Sequence, residues 1–255
     1  MNEYSPLPNL KLELLNGWLR RAIQHPDAAR LVLRGSILTL GLCGEKARTP
    51  QDVDYLLLEQ PFNFERTRQL VLEISRIPDT NTDLFLESTK MIWADTPYPG
   101  LRGYLIGRVG NGDLQTIQVD IACDDPLSMP PRLLGISGVG NVLTCTPETL
   151  FAWKLHGLVE FGRGRWKPKD LFDLDLLSSE LEFDQTELLK AIDLAFTSRD
   201  MHISKLDDFR TRDSWGCSSR SGRSKWRSFQ IKYGLDLDFL EFRNRVRDVV
   251  NTLLE

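Results

Sequence analysis

Residues 9–24 place Leu10, Leu12, Leu14, Leu15, Trp18, Leu19 and Ile23 at helical spacing, which predicts an amphipathic helix laid against a sheet that begins at Arg30. Leu31-Val32-Leu33 reads as a strand, Gly35-Ser36 as the turn that opens a second amphipathic helix, and the apolar run around Val53 and residues 55–58 as the next strand. Residues 61–77 carry a new helical stripe of Phe62, Phe64, Leu70, Val71, Ile74 and Ile77, closed by Pro78. A β-rich stretch follows, with short strands predicted at 84–86, 90–93, 104–106 and 114–121. They are punctuated by Pro97-Tyr98-Pro99-Gly100 and by the hairpin signal Gly110-Asn111-Gly112-Asp113. In the last strand Ile117, Val119 and Ile121 alternate with Gln118 and Asp120, so the Asp120 carboxylate is expected to point away from the core. Segment 130–141 reads as a surface connection and 142–145 as one more strand.

The pattern changes at Thr146. Thr146 as N-cap, Pro147 in the first turn and Glu148 beside it start a helix that runs on through residue 159, with Lys154 the single ammonium in an apolar stretch. Such a lysine either snorkels to the surface or faces a phosphate. A basic loop, Arg163-Gly164-Arg165-Trp166-Lys167, leads into another helix opening with Lys169-Asp170-Leu171-Phe172-Asp173-Leu174. Between Lys205 and Tyr233, Arg210, Arg212, Arg220, Arg223, Lys225, Arg227 and Lys232 are set among Trp215, Trp226, Phe229 and Tyr233. That mixture supplies cations for phosphates and rings for bases, or else a solvated basic loop whose rings anchor the fold. Residues 218–224 read as a mobile loop, and a last helix over 237–254, with Leu237, Leu240, Val246, Val249, Val250 and Leu253, reads as structural. The predicted fold class is α+β: a mixed sheet flanked by helices over residues 1–145, then a mainly helical domain over 146–255.

Composition narrows the class. The chain of 255 residues is 41% hydrophobic and 27% charged with a net charge of −4, an ordinary globular balance that leaves any nucleic-acid contact to a local patch. The start lacks a basic, apolar leader, and no run elsewhere is long enough to span a bilayer, so a cytoplasmic location without membrane partners is expected. Cys43, Cys123, Cys145 and Cys217 are far apart and only three histidines, His25, His156 and His202, accompany them. Neither a disulfide framework nor a zinc site is favoured.

The candidate chemistry lies in Gly35-Ser36 and Asp52-Val53-Asp54. Side chains alternate faces along a strand, so Asp52 and Asp54 are expected on one side, able to hold a divalent cation while Val53 enters the core. Hard cations such as Mg²⁺ or Mn²⁺ take oxygen ligands and bind through one or two carboxylates plus substrate phosphates. Gly35-Ser36 at a helix start would turn backbone N–H groups and a hydroxyl toward an anion. Asp120 is the candidate third metal carboxylate, because two cations about 3.5–4 Å apart carry more charge than two carboxylates offset.

Strand, Gly-Ser, helix and Asp-x-Asp strand, in that order, resemble the nucleotidyltransferase superfamily that includes DNA polymerase beta. Adding Lys154 on its capped helix and the Lys169-Asp170-x-x-Asp173-Leu174 helix, residues 30–180 resemble the AbiEii/AbiGii toxin family of nucleotidyltransferases. The resemblance implies transfer of a nucleotide from an NTP to an acceptor, RNA such as a tRNA end in some members, as the toxin of a type IV toxin–antitoxin or abortive-infection system with a cognate antitoxin. It further implies Gly35 and Ser36 as phosphate-binding residues and Asp52 and Asp54 as metal carboxylates. Asp120 is matched to the metal site by its strand context. Lys154 stands as catalytic lysine on the triphosphate, and Asp170, with Asp173 as its alternative, as the later acid. The helical domain is expected to complete the active site and bind the acceptor. Residues 37–51 make the gap before Asp52 longer than the pattern, with 44–50 as the loop that absorbs it. The alternatives are the same chemistry on a small molecule such as an antibiotic, a catalytically silent nucleotide- or RNA-binding protein of the same fold, and, more distantly, a nucleotide-sugar glycosyltransferase.

Overall fold

The computed structural model describes residues 9–58, 61–160, 165–216, 219–236 and 238–254; Arg163, Gly164, Cys217, Ser218, Leu237 and the first eight residues lie outside these. The chain divides into two compact units. The first takes Met1–Gly41, Thr49–Asp125 and Arg132–Thr144, and the second takes Leu42–Arg48, Pro126–Pro131 and Cys145–Glu255.

Helix α1 (Leu10–Ala22) begins where Asn9 Oδ1 accepts the Leu12 N–H at 3.1 Å, satisfying one of the free donors of a helix start. It buries Leu14, Leu15, Trp18 and Leu19 completely. Strand β1 (Leu31–Arg34) runs into α2 (Gly35–Cys43), then β2 (Val53–Leu57), α3 (Phe64–Arg76), β3 (Thr82–Ile92), β4 (Gly100–Val109), β5 (Gln115–Cys123), β6 (Arg132–Ile136) and β7 (Gly140–Thr144). The seven strands form one mixed sheet in the order β3-β4-β5-β2-β1-β7-β6. β2 runs parallel to β5 and β1 parallel to β7, while the other neighbours are antiparallel. Helices α1 and α3 pack on the face carrying Thr82, Leu101 and Leu105, which leaves Arg102 and Tyr104 on the opposite face. Gly17 lets α1 lie against β3, since a Cβ there would fall 2.2 Å from Thr82 Oγ1. The neighbouring Arg21 is buried, yet its guanidinium donates to the carbonyls of Gly17, Ile77 and Thr82 and to the Thr82 hydroxyl, which offsets its desolvation.

Three expectations change here. Residues 84–86 and 90–92 belong to one strand, β3, whose apparent break is a register shift between Leu86 and Ser88 and which ends before Trp93. Segment 130–141 contains β6, an edge strand with Leu133 exposed, so it lacks the alternation that would reveal it. And β5 is buried continuously from Val119 to Cys123, including Asp120, because it is a central strand between β4 and β2.

The second unit is helical. Thr146 Oγ1 accepts the Thr149 N–H to cap α4 (Pro147–Val159), which packs against α5 (Pro168–Glu180) and α6 (Gln185–Thr197), the last unassigned from sequence. The short α7 (Asp207–Thr211) precedes α8 (Arg220–Tyr233) and α9 (Phe239–Leu254). The 218–224 loop expectation is corrected: Ser219 Oγ accepts the Gly222 N–H at 3.0 Å and starts α8. Trp166, Trp215, Trp226, Phe229, Phe239 and Phe242 are buried in one aromatic cluster with centroids 5.2–5.6 Å apart in neighbouring pairs.

His156 on α4 is also core. It is 4% exposed, lies edge-on to Phe196 at 5.3 Å, and its Nε2 has no hydrogen-bond partner among the described residues. Burial, with smaller contributions from Arg199 and Lys167, lowers its pKa to about 4 from the usual 6.5. The folded imidazole is therefore neutral, and its contribution is fully present above pH 6.5 and lost as pH falls toward 4. Urea unfolding should show a loss of about 3 kcal/mol across that window, absent in His156→Leu. An unchanged pH profile in that variant would contradict a neutral buried histidine.

Candidate functional site

Gly35, Ser36, Asp52, Asp54 and Asp120 converge in the first unit. Gly35 has φ +73°, the left-handed region, and a Cβ there would stand 2.2 Å from Asp54 Oδ2. Only glycine permits both the turn and the approach of its backbone to that carboxylate. Ser36 is 3% exposed and its hydroxyl donates to Asp52 Oδ1 at 3.4 Å. β2 starts at Val53, so Asp52 stands at the strand's entry and Asp54 inside it, both half-buried and alternating with the fully buried Val53 and Tyr55. The long gap after Ser36 is taken up by a 3-10 turn at Gly44–Lys46 and the extended chain that follows.

Register extends the site across the sheet. Arg34 opposes Asp54, Asp54 opposes Asp120, Asp120 opposes Arg102 and Arg102 opposes Lys90, giving one lateral row over five strands. Opposed residues on neighbouring strands share a face about 4.8 Å apart. Arg102 grips Asp120 with both arms of its fork, Nε to Oδ1 at 2.8 Å and Nη2 to Oδ2 at 2.6 Å, and Gln118 Nε2 adds a third bond at 3.2 Å. At the other end Arg34 donates to Asp125 Oδ2 at 2.9 Å and lies over the Trp93 ring at 5.8 Å.

The carboxylates that a divalent cation would meet here are those of Asp52 and Asp54, beside a turn where a Cβ has no room. This all-oxygen set suits a hard ion. Among the described residues no group of three or more acidic, histidine or cysteine ligands is assembled. Asp120 is the nearest addition by register, but its oxygens are engaged by Arg102.

Lys154, Asp170 and Asp173 lie in the second unit, where the structure pairs them differently from expectation. Lys154 Nζ donates to Asp173 Oδ2 at 2.6 Å, and Arg48 meets the same carboxylate with Nε at 3.0 Å and Nη2 at 2.9 Å. Asp173 is completely buried and both cations nearly so. Burial pushes Asp173 upward, but Lys154 and Arg48 outweigh it and hold the carboxyl below its usual range. Asp170 sits one turn earlier, where burial raises its carboxyl above that range. Asp173 is thus the carboxylate that bonds Lys154, while the Lys154 charge also acts on Asp170 against its burial. Arg48 and Arg102 were missed in the sequence: Arg102 had a faint signal as an outward residue of β4, and Arg48 had none.

Of the two readings of the rings between Lys205 and Tyr233, burial favours the one in which they anchor the fold. Trp215 is 1%, Trp226 4% and Phe229 8% exposed, so packing removes them from any nucleobase. Arg210 and Arg212 bond to Asn251 and Asp208 of their own unit.

The model of the family described as nucleotidyl transferase AbiEii toxin, type IV TA system, matches residues 18–251. A comparison with curated proteins finds no match. Among solved structures, JHP933 from Helicobacter pylori is similar with a TM-score of 0.57 and 18% identity, covering 95% of this chain and 90% of that one. A candidate nucleotidyltransferase from H. pylori gives 0.55 and 19%, covering 95% and 92%. At these identities the two structures bear on the fold. No helix among the described residues is long and apolar enough to cross a membrane.

Proposed function

Because the chain belongs to the AbiEii family of nucleotidyltransferases, the toxins of type IV toxin–antitoxin systems, we propose that it moves a nucleoside monophosphate from an NTP to a hydroxyl of RNA, with a divalent cation at Asp52 and Asp54. The observation that carries this reading is Asp54 seated against the left-handed Gly35, with Ser36 bonded to Asp52. A divalent ion such as Mg²⁺ would neutralise charge on the triphosphate and lower the barrier to loss of pyrophosphate. Asp52 and Asp54 would hold that ion, the N–H groups of the α2 start would face phosphate, and Ser36 fixes the rotamer of Asp52. The acceptor oxygen forms a bond to the α-phosphorus as the bond to the pyrophosphate oxygen breaks, and the hydroxyl proton leaves to a carboxylate or water. Lys154 in the second unit carries the cationic role the family motif gives it, with Asp173 setting its rotamer. The system's antitoxin is the expected regulatory partner.

Transfer of label from each α-³²P-NTP onto total bacterial RNA, with and without Mg²⁺, tests the reading. Wild type is expected to label a discrete RNA. Gly35→Ala, which forces a Cβ into Asp54 at a left-handed position, is expected to lose roughly 10–100-fold in rate and about 1–2 kcal/mol in stability. Absence of label on any RNA with any NTP would overturn the RNA reading.

A further inference from the structure

Asp54 and Asp120 sit side by side on parallel strands, and two neighbouring carboxylates repel unless a cation stands between or beside them. The chain itself supplies that charge through Arg102. The fork takes both Asp120 oxygens, Gln118 takes a second bond to one of them, and the Asp120 side chain is 4% exposed. The Arg102 side chain is 27% exposed, so it is the half of the pair that an incoming molecule reaches first. On its other side it faces Lys90 in direct register, a like-charge opposition that costs stability unless an anion comes between them. The Lys90 ammonium lies over the Tyr104 ring at 5.4 Å, and with the Arg102 guanidinium it pushes the hydroxyl pKa of the half-buried Tyr104 down. A guanidinium fork fits phosphate as well as it fits carboxylate.

We propose that Arg102 is an exchangeable guard on Asp120. In the nucleotide-free protein it occupies the carboxylate, and a substrate phosphate draws it off toward Lys90, which frees Asp120 to join Asp54 at the cation. This inference rests on the nucleotidyl-transfer reading. No bond is made or broken in the step beyond ion pairs: one Arg–carboxylate contact is replaced by one Arg–phosphate contact. Its consequence is order, because the cation binds weakly alone and tightly together with the nucleotide.

The test is Mn²⁺ binding to the full chain, read from the electron paramagnetic resonance of free Mn²⁺, with and without the α,β-methylene analogue of each NTP. Arg102→Gln is expected to bind Mn²⁺ about tenfold more tightly than wild type without nucleotide. Asp120→Asn is expected to leave the nucleotide-free affinity of wild type within twofold, and to abolish the gain when combined with Arg102→Gln. With the analogue present, Arg102→Gln should lose the enhancement that nucleotide gives wild type. Unchanged or weaker nucleotide-free binding in Arg102→Gln overturns the guard. Should that variant fail to fold, Asp120→Asn alone decides, since a tenfold loss of nucleotide-free binding would make Asp120 already a ligand and overturn the proposal. Wild type that binds Mn²⁺ with an analogue but shows no effect of Arg102 sinks the guard and leaves the enzymatic reading standing. Wild type that binds none even with the analogues overturns both.

Discussion

Asp54→Asn is expected to reduce nucleotidyl transfer by about a thousandfold or more while leaving the fold intact, because it removes charge from the one carboxylate that touches both halves of the site. The amide keeps the size of the side chain against Gly35, so packing survives and the loss reads chemistry. Label transfer supplies the rate and urea unfolding the stability. If Asp54→Asn retained a tenth of the activity, Asp54 would be structural and the cation site would have to be sought elsewhere. Asp52→Asn is expected to lose less, since Asp52 stands at the strand's entry and reaches the turn only through the Ser36 hydroxyl at 3.4 Å.

The second large effect is on stability. Asp173→Ala leaves the Lys154 ammonium and the Arg48 guanidinium without their shared buried carboxylate, which should cost about 3–5 kcal/mol. Replacing the whole cluster, Arg48→Met with Lys154→Met and Asp173→Leu, is expected to restore most of that loss, because no charge is then left to desolvate. The pair of variants separates two roles of Lys154. A stable triple variant without transfer activity shows that the cluster serves the chemistry, and a stable, active one makes Lys154 purely structural. Wild-type stability has a pH signature here too: the Asp173 contribution is present above the ordinary carboxylate range and is lost as pH falls through the lowered value. A cost below about 1 kcal/mol for Asp173→Ala would contradict the buried pairing.

What was legible in the sequence is what local chemistry dictates. Thr146-Pro147 announces α4, the leucine stripe announces α1, and Gly35-Ser36 marks a turn that few other residues could make. Asp54 could be placed on its strand because Val53 and Tyr55 alternate with it. What depends on distant partners could not be read. Nothing near Asp120 in sequence says that Arg102 will oppose it, and nothing near Asp173 says that Arg48 will arrive from the loop after α2. The rings of Trp215, Trp226 and Phe229 sit among cations, a composition that serves a core and an RNA surface equally well, and only burial separates them. Edge strand β6 escaped because an exposed edge with Leu133 outward carries no alternating signal.

The sheet order sets a schedule for the emerging chain. β1 and β2 leave the ribosome early, but their outer neighbours are β7 and β5, which are made much later. Until then any β1–β2 pair presents two open edges of buried apolar residues, a hazard for association with other nascent chains. Such non-local parallel pairings also close slowly. No fragment that stops short of Asp120 holds both Asp54 and Asp120, so synthesis has to pass that point before the paired carboxylates exist.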